Sequence, residues 1–182
     1  MEKDKLVIYS TTSRKHSEKI KTISGILTAI KKKEIFSFAA VKKNESEDVA
    51  ILQISQSIAE LCEMVNVKHS MTPKQIRFTA ELILEKYYFL TRADLMLFVK
   101  NAILGYYGTI YNRLDPASIL EFIKKYSDER MNEAESISIH EHESRKHQER
   151  KGLNARSGKT NRIDSIWAEL ERNEAEKRTS KK

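Results

Sequence analysis

Several short constellations in this sequence hold residue types that do chemistry when they are correctly spaced. Gly152 to Thr160 (GLNARSGKT) ends like a phosphate-binding loop, in which glycine amides cradle phosphates and a lysine reaches them. That loop needs four residues between its glycines and has five here, between Gly152 and Gly158. No apolar strand precedes it and no helix with a buried face follows, so nothing would aim its amides. His140-Glu141-His142-Glu143 with His147 carries metal-ligating types. On a helix His140 and His142 fall on different faces, and no pair has the i, i+4 spacing that brings two imidazoles to one ion. A solvated polar helix accounts for the cluster better. Cys62 lies beside an apolar stripe, where a free cysteine behaves as a small core residue. His69 follows it without the orienting acid that a Cys–His pair requires. The sequence therefore predicts no enzyme, no metal and no cofactor.

Two features point instead to binding. Gly105-Tyr106-Tyr107-Gly108-Thr109-Ile110-Tyr111-Asn112-Arg113 brackets two tyrosines with glycines, between two capped helices. Tyr106, Tyr107, Tyr111 and Arg113 are candidates for a partner hot spot or a stacking and phosphate surface. The alternative is a structural corner whose tyrosines fill space between helices. The second feature is basic charge. Residues 145–162 carry Arg145, Lys146, Arg150, Lys151, Arg156, Lys159 and Arg162 against Glu149 alone. With Lys31, Lys32 and Lys33 they are the candidate nucleic-acid contacts, since neutralised phosphates release counterions and add affinity.

The elements that must position these residues are read from periodicity and caps. Ile20, Ile23, Leu27 and Ile30 recur at helical spacing, predicting an amphipathic helix from Ser17 to about Lys33. Leu6 to Tyr9 is an apolar run of either type. Ile35 to Val41 fits a strand or a helix, and Lys42 to Glu45 reads as a connection. Ile51, Ile54, Ile58, Leu61 and Val65 predict a long helix over 46–65. Thr72-Pro73-Lys74-Gln75 forms a capping box before Ile76, Ala80, Ile83 and Tyr87. Thr91 to Asp94 repeats that start signal, and Leu95, Phe98, Val99, Ala102 and Ile103 follow until Gly105. Asp115-Pro116 caps a helix burying Ile119, Phe122, Ile123 and Tyr126. Beyond it lie a charge-alternating run, a flexible basic stretch over 152–162, and a short helix presenting Ile166, Trp167 and Leu170 to a partner or to its own body.

Composition bounds the classes. The 182 residues include 5 Gly, 2 Pro and 1 Cys, too few for a β-sandwich, a disulfide framework or a cysteine zinc site. No apolar run reaches a membrane span, and no signal-peptide core follows Met1-Glu2-Lys3-Asp4, so a soluble cytoplasmic protein is expected. The net charge of +7 is unevenly placed. Residues 1–45 hold 11 basic and 5 acidic side chains, residues 46–127 hold 9 of each, and residues 128–182 hold 13 and 12.

The expected fold is all-α. Residues 46–135 form a small orthogonal bundle, residues 1–45 a basic segment packed on it, and residues 136–182 a charged tail.

Met71-Thr72-Pro73-Lys74-Gln75, the Tyr87-Tyr88-Phe89-Leu90-Thr91 turn, Gly105 to Tyr111, Leu114-Asp115 and Tyr126 to Arg130 together resemble a largely uncharacterised family. Its members are small helical proteins encoded by phages and mobile elements of gut bacteria. The likeness covers roughly residues 46–135, about half the chain. It implies a compact helical fold, a mobile-element context and no catalytic residue. It also implies kinship with replication accessory proteins that bring a helicase or initiator to DNA. The expected partners are thus nucleic acid, DNA rather than RNA, and a replication protein. The alternative is a virion or assembly protein with a basic packaged or docking tail.

Overall fold

The computed structural model describes residues 17–65, 67–111 and 113–179, with the side chains of 150, 152–164 and 173–179 outside the described set. The run Leu6 to Tyr9 also lies outside the described residues. Among the described residues there are six named helices and no strand: α1 Ile23–Lys31, α2 Phe38–Asn44, α3 Glu47–Met64, α4 Pro73–Lys86, α5 Arg92–Ile103 and α6 Pro116–Thr179. The chain divides into two compact units, Met1–Glu135 and Ser136–Lys182.

In the first unit α3 is the central element, packing against α2, α4 and α5, while α1 packs on α5. Its buried stripe, Ile51, Ile54, Ile58 and Leu61, is the one that the sequence spacing predicts. Ser46 caps it by accepting from Val49 N–H at 3.2 Å. The α4 box is complete: Gln75 N–H donates to Thr72 Oγ1 at 3.3 Å, and Thr72 N–H donates to Gln75 Oε1 at 2.8 Å. Thr91 and Asp94 form the same reciprocal box at the start of α5. Such caps satisfy helix-end donors that have no partner inside the helix.

The N-terminal region departs from the periodicity. α1 begins at Ile23 behind the Thr22 cap, not at Ser17, and its buried residues are Ile26 and Ala29. Ile23 and Ile30 flank that face and are only partly buried. The ambiguous run at 35–41 resolves into Ile35, a Ser37 cap and α2, which continues through the supposed connection to Asn44. Tertiary contacts decide it. Phe38 and Ala39 N–H groups donate at 2.8 Å to the carbonyls of Leu90 and Tyr88, so the turn before α5 supplies acceptors to the first turn of α2. Ile103, expected in the core, is 42% exposed because α5 ends there.

Residues 152–162, expected as a flexible stretch, have helical backbone. The backbone of α6 is helical through Thr179, so the basic segment and the Trp167 segment belong to one helix. Strong helix formers around Gly152 and Gly158 carry the helix across them. Among the described residues no helix is long and apolar enough to cross a membrane.

Candidate functional site

The exposed corner between α5 and α6 starts from a glycine cap. Tyr106 N–H donates to Asn101 C=O at 3.1 Å and Gly105 N–H to Ala102 C=O at 3.0 Å. With Gly105 at φ 80°, these bonds make the paired terminator in which a left-handed residue closes the helix. The chain then reverses so that adjacent tyrosines take opposite fates. Tyr106 is 71% exposed and Tyr107 is 2% exposed.

Tyr107 is therefore a core residue, which corrects its candidacy as a partner contact. Its ring stacks on Phe98 with centroids 5.7 Å apart and meets Tyr126 edge-on at 6.5 Å. Its hydroxyl accepts from Asn101 Nδ2 at 3.1 Å, and its carbonyl accepts from Lys125 Nζ at 2.7 Å. Gly108 follows at φ 137°, a conformation that side chains rarely adopt. Burial pushes the Tyr107 phenol up to about 12, against a lowering by the Asn101 hydrogen bond and a further rise from Glu129. An unfolded tyrosine ionises near pH 10. Between about pH 10 and 12 the folded chain thus keeps a proton that the unfolded chain has lost, and stability falls as pH rises. Alkaline unfolding followed by circular dichroism should show that fall, and Tyr107→Phe should make it shallower. An unchanged slope would place the phenol outside the buried cluster. Tyr126, whose phenol burial also raises, should leave a residual fall.

What remains at the surface is Leu104 at 61% exposed, Tyr106, and Tyr111 at 75%. Arg113 is exposed as well and its Nε lies 3.2 Å from Asp115 Oδ2. Asp115 also caps α6, accepting from Ser118 N–H and Oγ at 2.9 Å each, and these bonds together with Arg113 hold its carboxyl below the usual range. A backbone bridge between His69 and Arg113, with Leu114 N–H donating to His69 C=O at 3.0 Å, ties the corner to the loop after α3. Leu104 was not singled out from the sequence. Its place immediately before the terminating glycine was the available signal.

Behind the corner a buried polar cluster joins α5 to α6. Asp94 is 0% exposed and accepts from Thr91 N–H at 2.7 Å and from Thr91 Oγ1 at 2.8 Å through Oδ2. Its Oδ1 accepts from Tyr126 OH at 2.6 Å and from Arg130 Nε at 2.8 Å. The Arg130 guanidinium lies over the Phe89 ring, 5.3 Å from its centroid. All four oxygen contacts are made within the fold, so the cluster positions helices.

The basic candidates are placed as follows. Lys31, Lys32 and Lys33 are exposed at the end of α1, Lys33 with φ 59°. Arg145, Lys146 and Lys151 are exposed on α6. Arg150, Arg156, Lys159 and Arg162 have helical backbone, and their side chains lie outside the described residues. At 3.6 residues per turn, the seven positions of 145–162 are distributed round the helix and share no single face. Ile166, Trp167 and Leu170 are exposed together further along it. His140, His142 and His147 are exposed on α6. Among the described residues no group of three or more metal-ligating side chains converges.

Fold and surface together define an α-helical bundle with an aromatic corner and a long charged helix. A scan against family models matched none, and comparison with curated proteins and solved structures gave no significant match.

Proposed function

We propose that the chain is a non-enzymatic accessory factor that binds nucleic acid, DNA in preference to RNA. In this reading residues 145–162 contact phosphates, assisted by Lys31 to Lys33. The corner of Leu104, Tyr106, Tyr111 and Arg113 takes a protein partner, and so does the apolar stripe at Trp167. The biological setting is replication of a phage or mobile element, where the protein brings a helicase or initiator to DNA. That setting rests on the family resemblance over residues 46–135.

The observation that carries the binding role is the concentration of seven basic residues against one acidic residue in 145–162. Arg145, Lys146 and Lys151 stand exposed on helical backbone there. Such a block gains affinity from counterion release whatever the base sequence. Fluorescence anisotropy with a labelled single-stranded DNA tests it. Replacing Arg150, Lys151, Arg156 and Lys159 with alanine should weaken binding by about ten-fold or more in low salt. It should also reduce the slope of log K against log salt by about 3, from roughly 0.7 per lost phosphate contact. Equal affinity in the variant and the parent chain would remove the segment from the mechanism.

A further inference from the structure

The surface between α3 and α4 is an open groove of two adjoining hollows. The larger, of about 790 Å³, has an apolar floor of Ile51, Leu52, Ala59, Pro73 and Ile76. The smaller lies against Glu47, Glu81, Leu84 and Glu85, with Lys42 of α2 beside them. Asp48, Ile51 and Arg77 line both, so the two are continuous. The end of α3 thus faces the start of α4 across the apolar half, and the start of α3 faces the end of α4 across the charged half. From Ala59 to Glu47, or from Pro73 to Glu85, the groove runs roughly 18 Å at 1.5 Å per residue. A third helix of about 12 residues would cover that length. Leu52, Ser55 and Ala59 recur at steps of three and four, and the two small residues let a helix backbone come close. Leu52 is 57% exposed, so the described residues leave this stripe open.

Charge selects the occupant. α3 carries Glu47, Asp48, Glu60 and Glu63 and no basic residue, while α4 carries Glu81 and Glu85 against Lys74, Arg77 and Lys86. The two helices are therefore net acidic in a chain of net charge +7, and that sign repels phosphate. Both cations in the charged hollow are already engaged. Lys42 Nζ lies 2.6 Å from Glu47 Oε1, and the Arg77 guanidinium lies 3.5 Å from Asp48 Oδ1 and 3.1 Å from Glu81 Oε1. Glu85 is in none of these pairs. The complement of such a groove is a protein segment that is apolar along one stripe and basic at one end.

We propose that the α3–α4 groove docks an amphipathic helix of a partner protein. Its apolar stripe lies over Leu52 and Ala59, and lysine or arginine at one end lies over Glu81 and Glu85. The groove belongs wholly to the first unit and uses neither residues 145–162 nor the Tyr106 corner, so it stands or falls apart from the reading above. Fluorescence anisotropy on the full chain tests it, with two labelled peptides of about 12 residues. They share one leucine stripe at helical spacing and end in lysines or in glutamates. At about 50 mM salt the lysine peptide should bind at least about ten-fold more tightly than the glutamate peptide, with the gap closing near 1 M. Leu52→Ser should weaken the lysine peptide by about five-fold or more, because an apolar contact is lost. Glu81→Lys combined with Glu85→Lys should invert the preference toward the glutamate peptide. Leu52, Glu81 and Glu85 are exposed, so circular dichroism should show both variants folded. Failure of both peptides to bind, equal affinity for the two, an affinity unmoved by Leu52→Ser, or a preference that survives the double charge reversal would each overturn the docking.

Discussion

Asp94→Ala is expected to destabilise the fold by about 3–5 kcal/mol, measured by denaturant unfolding followed by circular dichroism. The carboxylate is fully buried and accepts four hydrogen bonds, from Thr91 N–H, Thr91 Oγ1, Tyr126 OH and Arg130 Nε. Alanine removes all four acceptor contacts and leaves the Arg130 cation, 5% exposed, without its counter-charge. Removing one partner of a buried pair costs about that much because the other charge stays desolvated. Against a total stability of about 5–15 kcal/mol, this is a large fraction. The reverse truncation should be milder. Arg130→Met keeps an apolar stem over Phe89, and Asp94 retains its Thr91 and Tyr126 donors, so about 1–3 kcal/mol is expected. Asp94→Ala combined with Arg130→Met should then be less damaging than the two single losses added together, with a coupling above about 1 kcal/mol. A loss under about 1 kcal/mol for Asp94→Ala would mean that the cluster is not what joins these helices.

The cluster matters to the surface because of where its members sit. Thr91 ends the turn whose Tyr88 and Leu90 carbonyls accept from the start of α2. Tyr126 and Arg130 lie on α6 beyond Phe122, the residue against which Tyr107 packs at 6.3 Å. Fixing Asp94 therefore fixes the start of α5 relative to both α2 and α6. The corner that displays Tyr106 and Tyr111 spans the far end of α5 and the start of α6. Its geometry thus depends in part on a charge pair that is itself buried.

Local signals made half of this legible. The caps at Thr72, Thr91 and Asp115 involve residues three apart, and the α3 stripe repeats every three or four, so short windows contain them. Asp94 was readable as a cap residue for the same reason. Its other partners were not, since Tyr126 and Arg130 stand 32 and 36 residues away and only folding brings them together. The same limit explains α2, whose helical state depends on carbonyls some 50 residues further along the chain. In α1 the apolar residues surround the helix closely enough that spacing alone chose Leu27, while packing buried Ile26 and Ala29. In α6 the polar run carried no periodic stripe, and charge alternation gave no means of separating a solvated helix from a flexible stretch.

The two neighbouring tyrosines offer the sharpest separation of structure from binding. Tyr107→Ala should cost about 3–5 kcal/mol, the usual loss when a buried aromatic is truncated and its neighbours cannot close the space. Phe98, Phe122 and Tyr126 all face the ring, and none can fill its place without leaving its own contacts. Tyr107→Phe keeps those ring contacts and loses only the acceptor for Asn101 Nδ2, so about 1 kcal/mol is expected. Tyr106→Ala and Tyr111→Ala should leave stability within about 0.5 kcal/mol, because both rings stand in solvent. If the corner is a partner surface, those two substitutions should instead weaken partner binding by ten-fold or more, as expected for aromatic hot spots. Unfolding measurements and binding measurements would then rank the two positions in opposite order. Variants at Tyr106 and Tyr111 that change neither stability nor binding would leave the corner as a helix connection, and move the partner contact to the Trp167 stripe.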